Sequence, residues 1–376
     1  MRDFLLSPLR HGTVTALALA GLLAPAALAA ASAAPPAPAP EADHVPFTER
    51  YNALQHGGIV RAANSSITCR ADQPVPTTAT AACPAVRAGK TGVNGAFDMT
   101  YIDVDRDPNT YNSSRAEVRL PEGARVSYAR LYWGGNLRVG EQKPPKDNGR
   151  VLIAEPGGQY KEVLADTVVG HRVANGADAF QASADVTGLV RDSKPGLYTV
   201  GQVNVAKGTS RAGAWGGWTL VVAYENPADP LRQLSLWDGF DALAPTGEVE
   251  LGKLSWPLPA GTGGSAGLVA YDGDRGVRGD TLRLATTRET ERGERTAVTA
   301  LAGPADPVDD VLNSTISQPG AAQPDRVPAY ANTLGYDSDV FDLAPALRDG
   351  GDRLAFRLTS RQDRAWAGAF FVAVDV

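Results

Sequence analysis

A-G-A-W-G-G-W-T-L-V-V-A-Y-E-N-P, residues Ala212 to Pro227, sets two tryptophans around a glycine pair and runs straight into an apolar segment. Exposed, such a pair would be a ligand platform; buried, it is core. The second half of the chain holds a counterpart, R-A-W-A-G-A-F-F-V-A-V, starting at Arg364. Both place a Trp and small residues ahead of a segment that is apolar on both faces, as a central strand buried on each side requires. Gly216 and Gly217 then allow a bulge or a close backbone approach. Trp215 aligns with Trp366, and both are expected to plug the core. Trp218 has a phenylalanine-rich equivalent and is expected there too.

Further from this stretch the same pattern recurs. Short apolar runs such as Val126 to Trp133, Thr219 to Tyr224, Gly267 to Tyr271 and Arg353 to Leu358 are bounded by Gly, Pro, Asn and Asp. Most alternate with period two or are apolar throughout, which predicts strands of a sandwich. In V-S-Y-A-R-L, simple alternation puts Val126, Tyr128 and Arg130 on one face and Ser127, Ala129 and Leu131 on the other. Long amphipathic helices are absent. Y-A-R-L-Y-W-G-G, A-D-V-T-G-L-V, G-L-Y-T-V-G-Q-V and the opening stretch have counterparts in the same order after Ser265. The prediction is an all-β chain of two jelly-roll-like β-sandwich lobes related by internal duplication. Asp185 and Asp339 would each cap a short helical turn. The expected boundaries are 1–33 for a signal peptide, 34–45 for an Ala/Pro-rich linker, 46–244 for the first lobe and 245–376 for the second.

The leader rests on a short basic region followed by an apolar, alanine-rich run from Thr13 to Ala31. Ala31-Ser32-Ala33 and Ala27-Leu28-Ala29 both suit signal peptidase. Pro25 and the A-P-P-A-P-A-P run argue against a membrane span, which needs about 20 unbroken apolar residues. No transmembrane segment is expected in the mature chain. The C-terminal F-F-V-A-V-D-V has no sorting motif, so release, or non-covalent retention at the cell surface, is expected. Removing Arg2, Asp3 and Arg10 takes the net charge from −6 to −7, a balance that argues against nucleic acid as a partner. The two cysteines, Cys69 and Cys83, are expected to form a disulfide in an exported protein and to staple the entry segment of the first lobe.

N-S-S-R-A-E-V-R-L-P-E-G-A, A-R-L-Y-W-G-G, A-D-V-T-G-L-V, G-G-W-T-L-V-V-A-Y-E-N-P, L-W-D-G-F and N-T-L-G-Y-D-S-D-V-F-D together resemble an uncharacterised exported domain of high-GC Gram-positive bacteria. In that family the domain often heads adhesin-like surface proteins built of Ig-type repeats. The resemblance covers most of Phe97 to Val376 and implies a cell-surface or secreted module with no established activity. The sequence ends where the resemblance ends, so adhesion by a repeat stalk is not expected to carry over.

Few residues point to chemistry. Asp103, Asp105 and Asp107 alternate in D-V-D-R-D-P-N, a spacing that can wrap calcium. The EF-hand template fails there, with Pro108 where glycine belongs and Ser114 where glutamate belongs. A turn in which Asp107 and Asn109 make local hydrogen bonds is the competing reading. Asp272, Asp274 and Asp280 form a second acidic loop, where Arg275 and Arg278 can pair with them. Gly263-Gly264-Ser265-Ala266-Gly267 matches G-x-S-x-G, but a strand rather than a helix follows and the last histidine is His171, so the hydrolase context is missing. Arg278-Gly279-Asp280 abuts a strand and is a chance triplet. No cofactor is required by any motif, and calcium is the one candidate ion.

The expected function is a secreted, non-catalytic binding or adhesin-like module at the cell envelope or in the extracellular matrix, taking a glycan or a protein. Trp133, Trp237 and Trp256 are its candidate aromatic anchors. The alternatives are a structural, self-associating envelope protein and a secreted hydrolase with an unrecognised acid pair.

Overall fold

The alternating runs become sixteen principal strands that divide into two sets of eight. The first set is β1 Val45–Ser65, β2 Ser113–Val118, β3 Arg125–Asn136, β4 Arg150–Ala154, β5 Lys161–Leu164, β6 Ala177–Asp185, β7 Gly196–Gly201 and β8 Gly216–Glu225. The second is β9 Leu231–Ala242, β10 Gly247–Leu258, β11 Gly264–Tyr271, β12 Thr281–Thr290, β13 Gly293–Leu301, β14 Tyr336–Asp342, β15 Gly351–Ser360 and β16 Trp366–Asp375. This computed structural model describes residues 41–42, 45–105, 107–167, 169–243, 247–319, 321–322 and 325–376. The expected signal peptide, most of the linker and Arg106 lie outside them.

Pairing in each set is nested. First pairs with eighth (β1·β8, β9·β16), second with seventh (β2·β7, β10·β15), third with sixth (β3·β6, β11·β14) and fourth with fifth (β4·β5, β12·β13). A long hairpin folded over its own core gives this nested scheme, with the sheets in sandwich-like arrangements. Two eight-stranded sandwiches with the same strand order therefore follow one another along the chain. The nested pairing assigns β9 to the second sandwich. Strands β8 and β9 are joined by the turn 226–230.

The inner sheets, β6-β3-β8-β1 and β9-β16-β11-β14, join into one continuous sheet because β1 serves both. Its C-terminal half pairs with β8 and its N-terminal half with β9. Gly57 sits at the changeover with φ 142°, where an added Cβ would lie 1.9 Å from the Tyr224 carbonyl oxygen, so only glycine fits. The joined sheet folds back so that its two halves also pack face to face. Gln181 of β6 donates to the Gly239 and Gly368 carbonyls at 2.8 and 3.0 Å and accepts from Tyr271 Oη at 2.9 Å. Thr219 of β8 meets Tyr336 of β14 at 2.7 Å.

This layering settles the opening stretch. Trp218, Leu220 and Val222 fill the first sandwich, while Val221 points into the contact between the inner sheets. In β16, Phe370, Val372 and Val374 fill the second sandwich and Phe371 takes the other face. Trp215 and Trp366 are fully buried between the inner sheets, with rings 6.5 Å apart. Inner strands are apolar on both faces because both faces are buried.

Two local expectations need correction. The β3·β8 register slips between Ala223 and Tyr224, and this bulge turns Val126 into the core beside Ala129 and Leu131, instead of leaving it with Tyr128 and Arg130. Asp185 does accept from the Thr187 N–H (2.8 Å) ahead of the short helix α2, Thr187–Asp192. Asp339 caps nothing: it lies inside β14, fully buried. Its role falls to Asp342, which accepts from the Ala344 N–H at 2.9 Å. Cys69 and Cys83 form the expected disulfide across 14 residues, which ties the entry segment to the short helix α1, Cys83–Arg87, and contributes about 3 kcal/mol through loop closure.

Candidate functional site

The three tryptophans proposed as anchors have separate fates. Trp133 is fully buried in the first sandwich, and its indole N–H donates to the Asn148 carbonyl at 2.7 Å. Trp237 is 6% exposed and stacks against Phe370 in the second. Neither can lie flat against a sugar ring. Trp256 alone reaches solvent, from the edge strand β10, at 37% exposure. We predict that Trp133→Ala lowers stability by about 3–5 kcal/mol whereas Trp256→Ala costs less than about 0.5 kcal/mol. Denaturant midpoints of the two variants would be compared, and equal values would remove Trp133 from the core.

Asp103, Asp105 and Asp107 are used by their own loop. Asp103 accepts from Ser113 Oγ at 2.9 Å, Asp105 from the Asp107 N–H at 3.1 Å and from Tyr160, and Asp107 from the Asn109 N–H at 2.8 Å. Among the described residues, no three His, Cys, Asp or Glu side chains are placed to hold one metal ion. The local turn bonds are those of the competing reading.

The second acidic loop goes inward. Asp272, Asp280, Asp306, Asp310, Asp337, Asp339 and Asp363 are all at most 8% exposed, and Asp274 beside them is partly exposed. Burial raises the pKa of every one: Asp280 to about 7, Asp363 to about 10, and Asp272, Asp337 and Asp339 well above the carboxylate range. Neighbouring carboxylates add to the rise at Asp363, Asp337 and Asp339. Among the described residues, one oxygen each of Asp310, Asp337 and Asp339 is buried without a hydrogen-bond partner, and Asp280 has Ser360 as its one hydrogen-bonding neighbour. Arg275 does not neutralise the group directly, because its guanidinium donates to the carbonyls of Asn313 (3.2 Å), Gly89 (2.9 Å) and Ala331 (2.7 Å). Perturbed carboxyls often mark catalysis; here most of the group is buried, while Asp306 lines a cleft of about 380 Å³ and Asp274 is partly exposed.

The described surface carries several clefts, two of them of similar size. One, of about 510 Å³, is lined by Gln55, His56, Arg125, Glu225 and Asn226, yet its polar groups already satisfy one another. Arg125 pairs with Glu225 at 2.6 Å, and His56 Nδ1 donates to the Asp229 carbonyl at 2.9 Å. The other, of about 480 Å³, lies where the β12–β13 hairpin runs past the end of the second sandwich. On one face of the hairpin Leu282 and Leu284 cover the core. Alternation continues that face through Thr286, Arg288 and Thr290 on β12 and Arg295, Ala297 and Thr299 on β13. These residues form one wall, and the 345–350 loop with Arg348 and Asp349 forms the other. No hydrogen bond or ion pair engages the side chains of Arg288, Arg295 or Arg348 among the described residues. The sequence hinted at this site only through T-T-R-E-T-E-R-G-E-R, which has the composition of a solvated hairpin.

Residues 87–254 match a family described as a protein of unknown function, DUF3344, which agrees with an uncharacterised domain. Curated proteins give no match. Among solved structures the chain is similar to the CBM22-1-CBM22-2 tandem of Paenibacillus barcinonensis Xyn10C, at 8% identity over 90% of this chain and 100% of that one, with a TM-score of 0.20. It is also similar to vicilin from Corylus avellana, hazelnut, at 6% identity over 70% and 74%, with a TM-score of 0.22. Likenesses at this level carry no argument about fold or activity.

Proposed function

We propose that the chain is an exported, non-catalytic binding module that works at the cell envelope or in the extracellular matrix, with the cleft beneath the β12–β13 hairpin as its binding site. The alanine-rich leader supports export. The cleft is the observation that carries the binding role. It is concave, it is walled by a hairpin and a loop, and the guanidinium donors of Arg288, Arg295 and Arg348 are unspent among the described residues, the features of a site that orients a ligand. Asp349 is the one carboxylate among its lining residues, so the cleft supplies no carboxyl pair for glycoside hydrolysis. A self-associating envelope protein is the second reading, favoured by the open edge of β13, where Val298 is 63% exposed.

Ala297 lines the cleft and is itself exposed, so Ala297→Trp fills the space without altering charge. Binding to insoluble cell-envelope polysaccharide and to a panel of soluble glycans is expected to fall at least about tenfold in this variant, a loss of roughly 1.4 kcal/mol, at an unchanged unfolding temperature. Binding that survives the substitution would place the site elsewhere, and release of cleaved sugar would make the protein an enzyme.

A further inference from the structure

We propose that the ligand of this cleft is an acidic polysaccharide, one carrying carboxylate, sulfate or phosphate groups along its chain. The inference rests on the cleft being the binding site, and it names the chemistry the cleft selects. Arg288 stands directly opposite Arg295 in the β12·β13 register. Side chains so placed have Cβ atoms roughly 4.5–5.5 Å apart, and like charges there destabilise the pair. The next pair along the hairpin is Glu289 opposite Glu294, which alternation turns to the outer face. Glu294 there pairs with Arg353. The outer half of the hairpin therefore sorts its charges, with Arg288 and Arg295 on the cleft face and Glu289 and Glu294 behind. Exchanging Glu294 and Arg295 would have set Arg288 opposite a glutamate and removed the repulsion.

Arg348 adds a third guanidinium from the opposite wall, against the single carboxylate of Asp349. The cleft is thus locally cationic on a chain whose net charge is −6. Guanidinium groups are planar, always charged and suited to bidentate recognition of carboxylate, sulfate and phosphate. Two further features favour a sugar chain as the carrier. Thr286 and Thr299 place hydroxyls on the same wall, and Pro345 with Ala346 gives an apolar surface opposite. A flat bilayer would not enter a concave space between a hairpin and a loop.

The test uses surface-immobilised protein with dextran sulfate, polygalacturonate, neutral dextran and poly-glutamate as probes. The two acidic polysaccharides are expected to bind and neutral dextran not, with affinity falling as salt rises from about 0.05 M to about 0.5 M. Arg288→Gln with Arg295→Gln is expected to weaken binding at least about tenfold, and Ala297→Trp to do the same. Unchanged unfolding temperatures would confirm that both variants are folded. If Ala297→Trp blocks neutral dextran while the arginine variant binds normally, the cleft stands and the acidic class is overturned. Polyanion binding untouched by Ala297→Trp overturns the cleft itself. Poly-glutamate outcompeting both polysaccharides, or no probe binding at all, also overturns the proposal.

Discussion

Raising the pH from about 5 to about 8 is expected to lower the unfolding temperature by roughly 10 °C or more, whereas small domains usually hold their stability across this range. The cause is the buried aspartate group. Asp280 and Asp363 have folded-state pKa values of about 7 and about 10, and Asp272, Asp337 and Asp339 also lie well above the ordinary range because of burial. In the unfolded chain each titrates near 3.9. Folding therefore takes up protons between the two values. The stability those protons lend is complete below about pH 4 and is lost as pH rises through the folded values. Each group contributes about 1.4 kcal/mol per pH unit inside that window. Asp280 and Asp363, whose charges repel one another, together would remove on the order of a few kcal/mol between pH 5 and pH 7.

Partners limit the effect without cancelling it. Arg61, Arg275, Arg326 and Arg364 are the cations that favour the charged forms of these aspartates. Asn94 donates to Asp272 Oδ1 at 2.9 Å, and the Thr315 N–H to Asp337 Oδ1 at 3.1 Å. Asp105 and Glu141 have lowered pKa values in spite of partial burial, because of hydrogen bonds, and their contribution falls away only in acid, below this window. Thermal melts in a constant-ionic-strength series would decide the matter. Asp280→Asn and Asp363→Asn should flatten the slope and raise the melting temperature at pH 8. A flat or rising profile in the parent would show that protons do not hold the cluster. A slope abolished by millimolar calcium would transfer that task to a cation.

The frame was legible where both sides of a residue pair lie close in sequence or repeat. Trp215 and Trp366 could be matched because each opens an inner strand, and the apolar run after each has no polar face to offer solvent. Even the arginine pair was within reach: a two-residue turn at Glu291–Arg292 sets Arg288 opposite Arg295 by counting alone. The aspartates were not legible. Y-D-G-D-R-G-V-R-G-D has the composition of an exposed loop, and Asp280 is buried by residues far away in the chain, with Asp310 as its bridge partner and Ser360 as a neighbour. Asp339 looked like a helix cap because Asp-Val precedes helix α2 in the first half. In the second half the equivalent strand continues to Asp342, a three-residue difference that moves the carboxylate into the interior.

Asp238 is expected to be the most damaging single carboxylate to remove, at about 3–5 kcal/mol for Asp238→Asn. It projects from β9 and is 3% exposed. Its oxygens accept from Arg50 Nε of β1 at 2.5 Å and Tyr132 Oη of β3 at 3.1 Å, and Arg130 Nε of β3 lies 3.3 Å away. One side chain thus links β9 to β1 and β3 across the contact between the inner sheets. Burial opposes the charge on Arg130, yet Tyr132, Asp166 and Asp238 hold its pKa above the ordinary arginine value. The amide of Asn fills the same volume but leaves two guanidinium groups facing a neutral partner, one of them buried. Arg130 keeps Asp166 at 2.7 Å, and that carboxylate sits at the outer rim, so it offsets only part of the loss. Removing both members is therefore expected to cost less than the sum of the single losses, since a buried pair is poor evidence for stability while a broken one is costly. A double-mutant cycle of Asp238→Asn and Arg130→Met, read by urea unfolding, measures the coupling. Coupling below about 0.5 kcal/mol, or a single Asp238→Asn loss below about 1 kcal/mol, would mean that the inner sheets are held by their apolar and glutamine contacts alone.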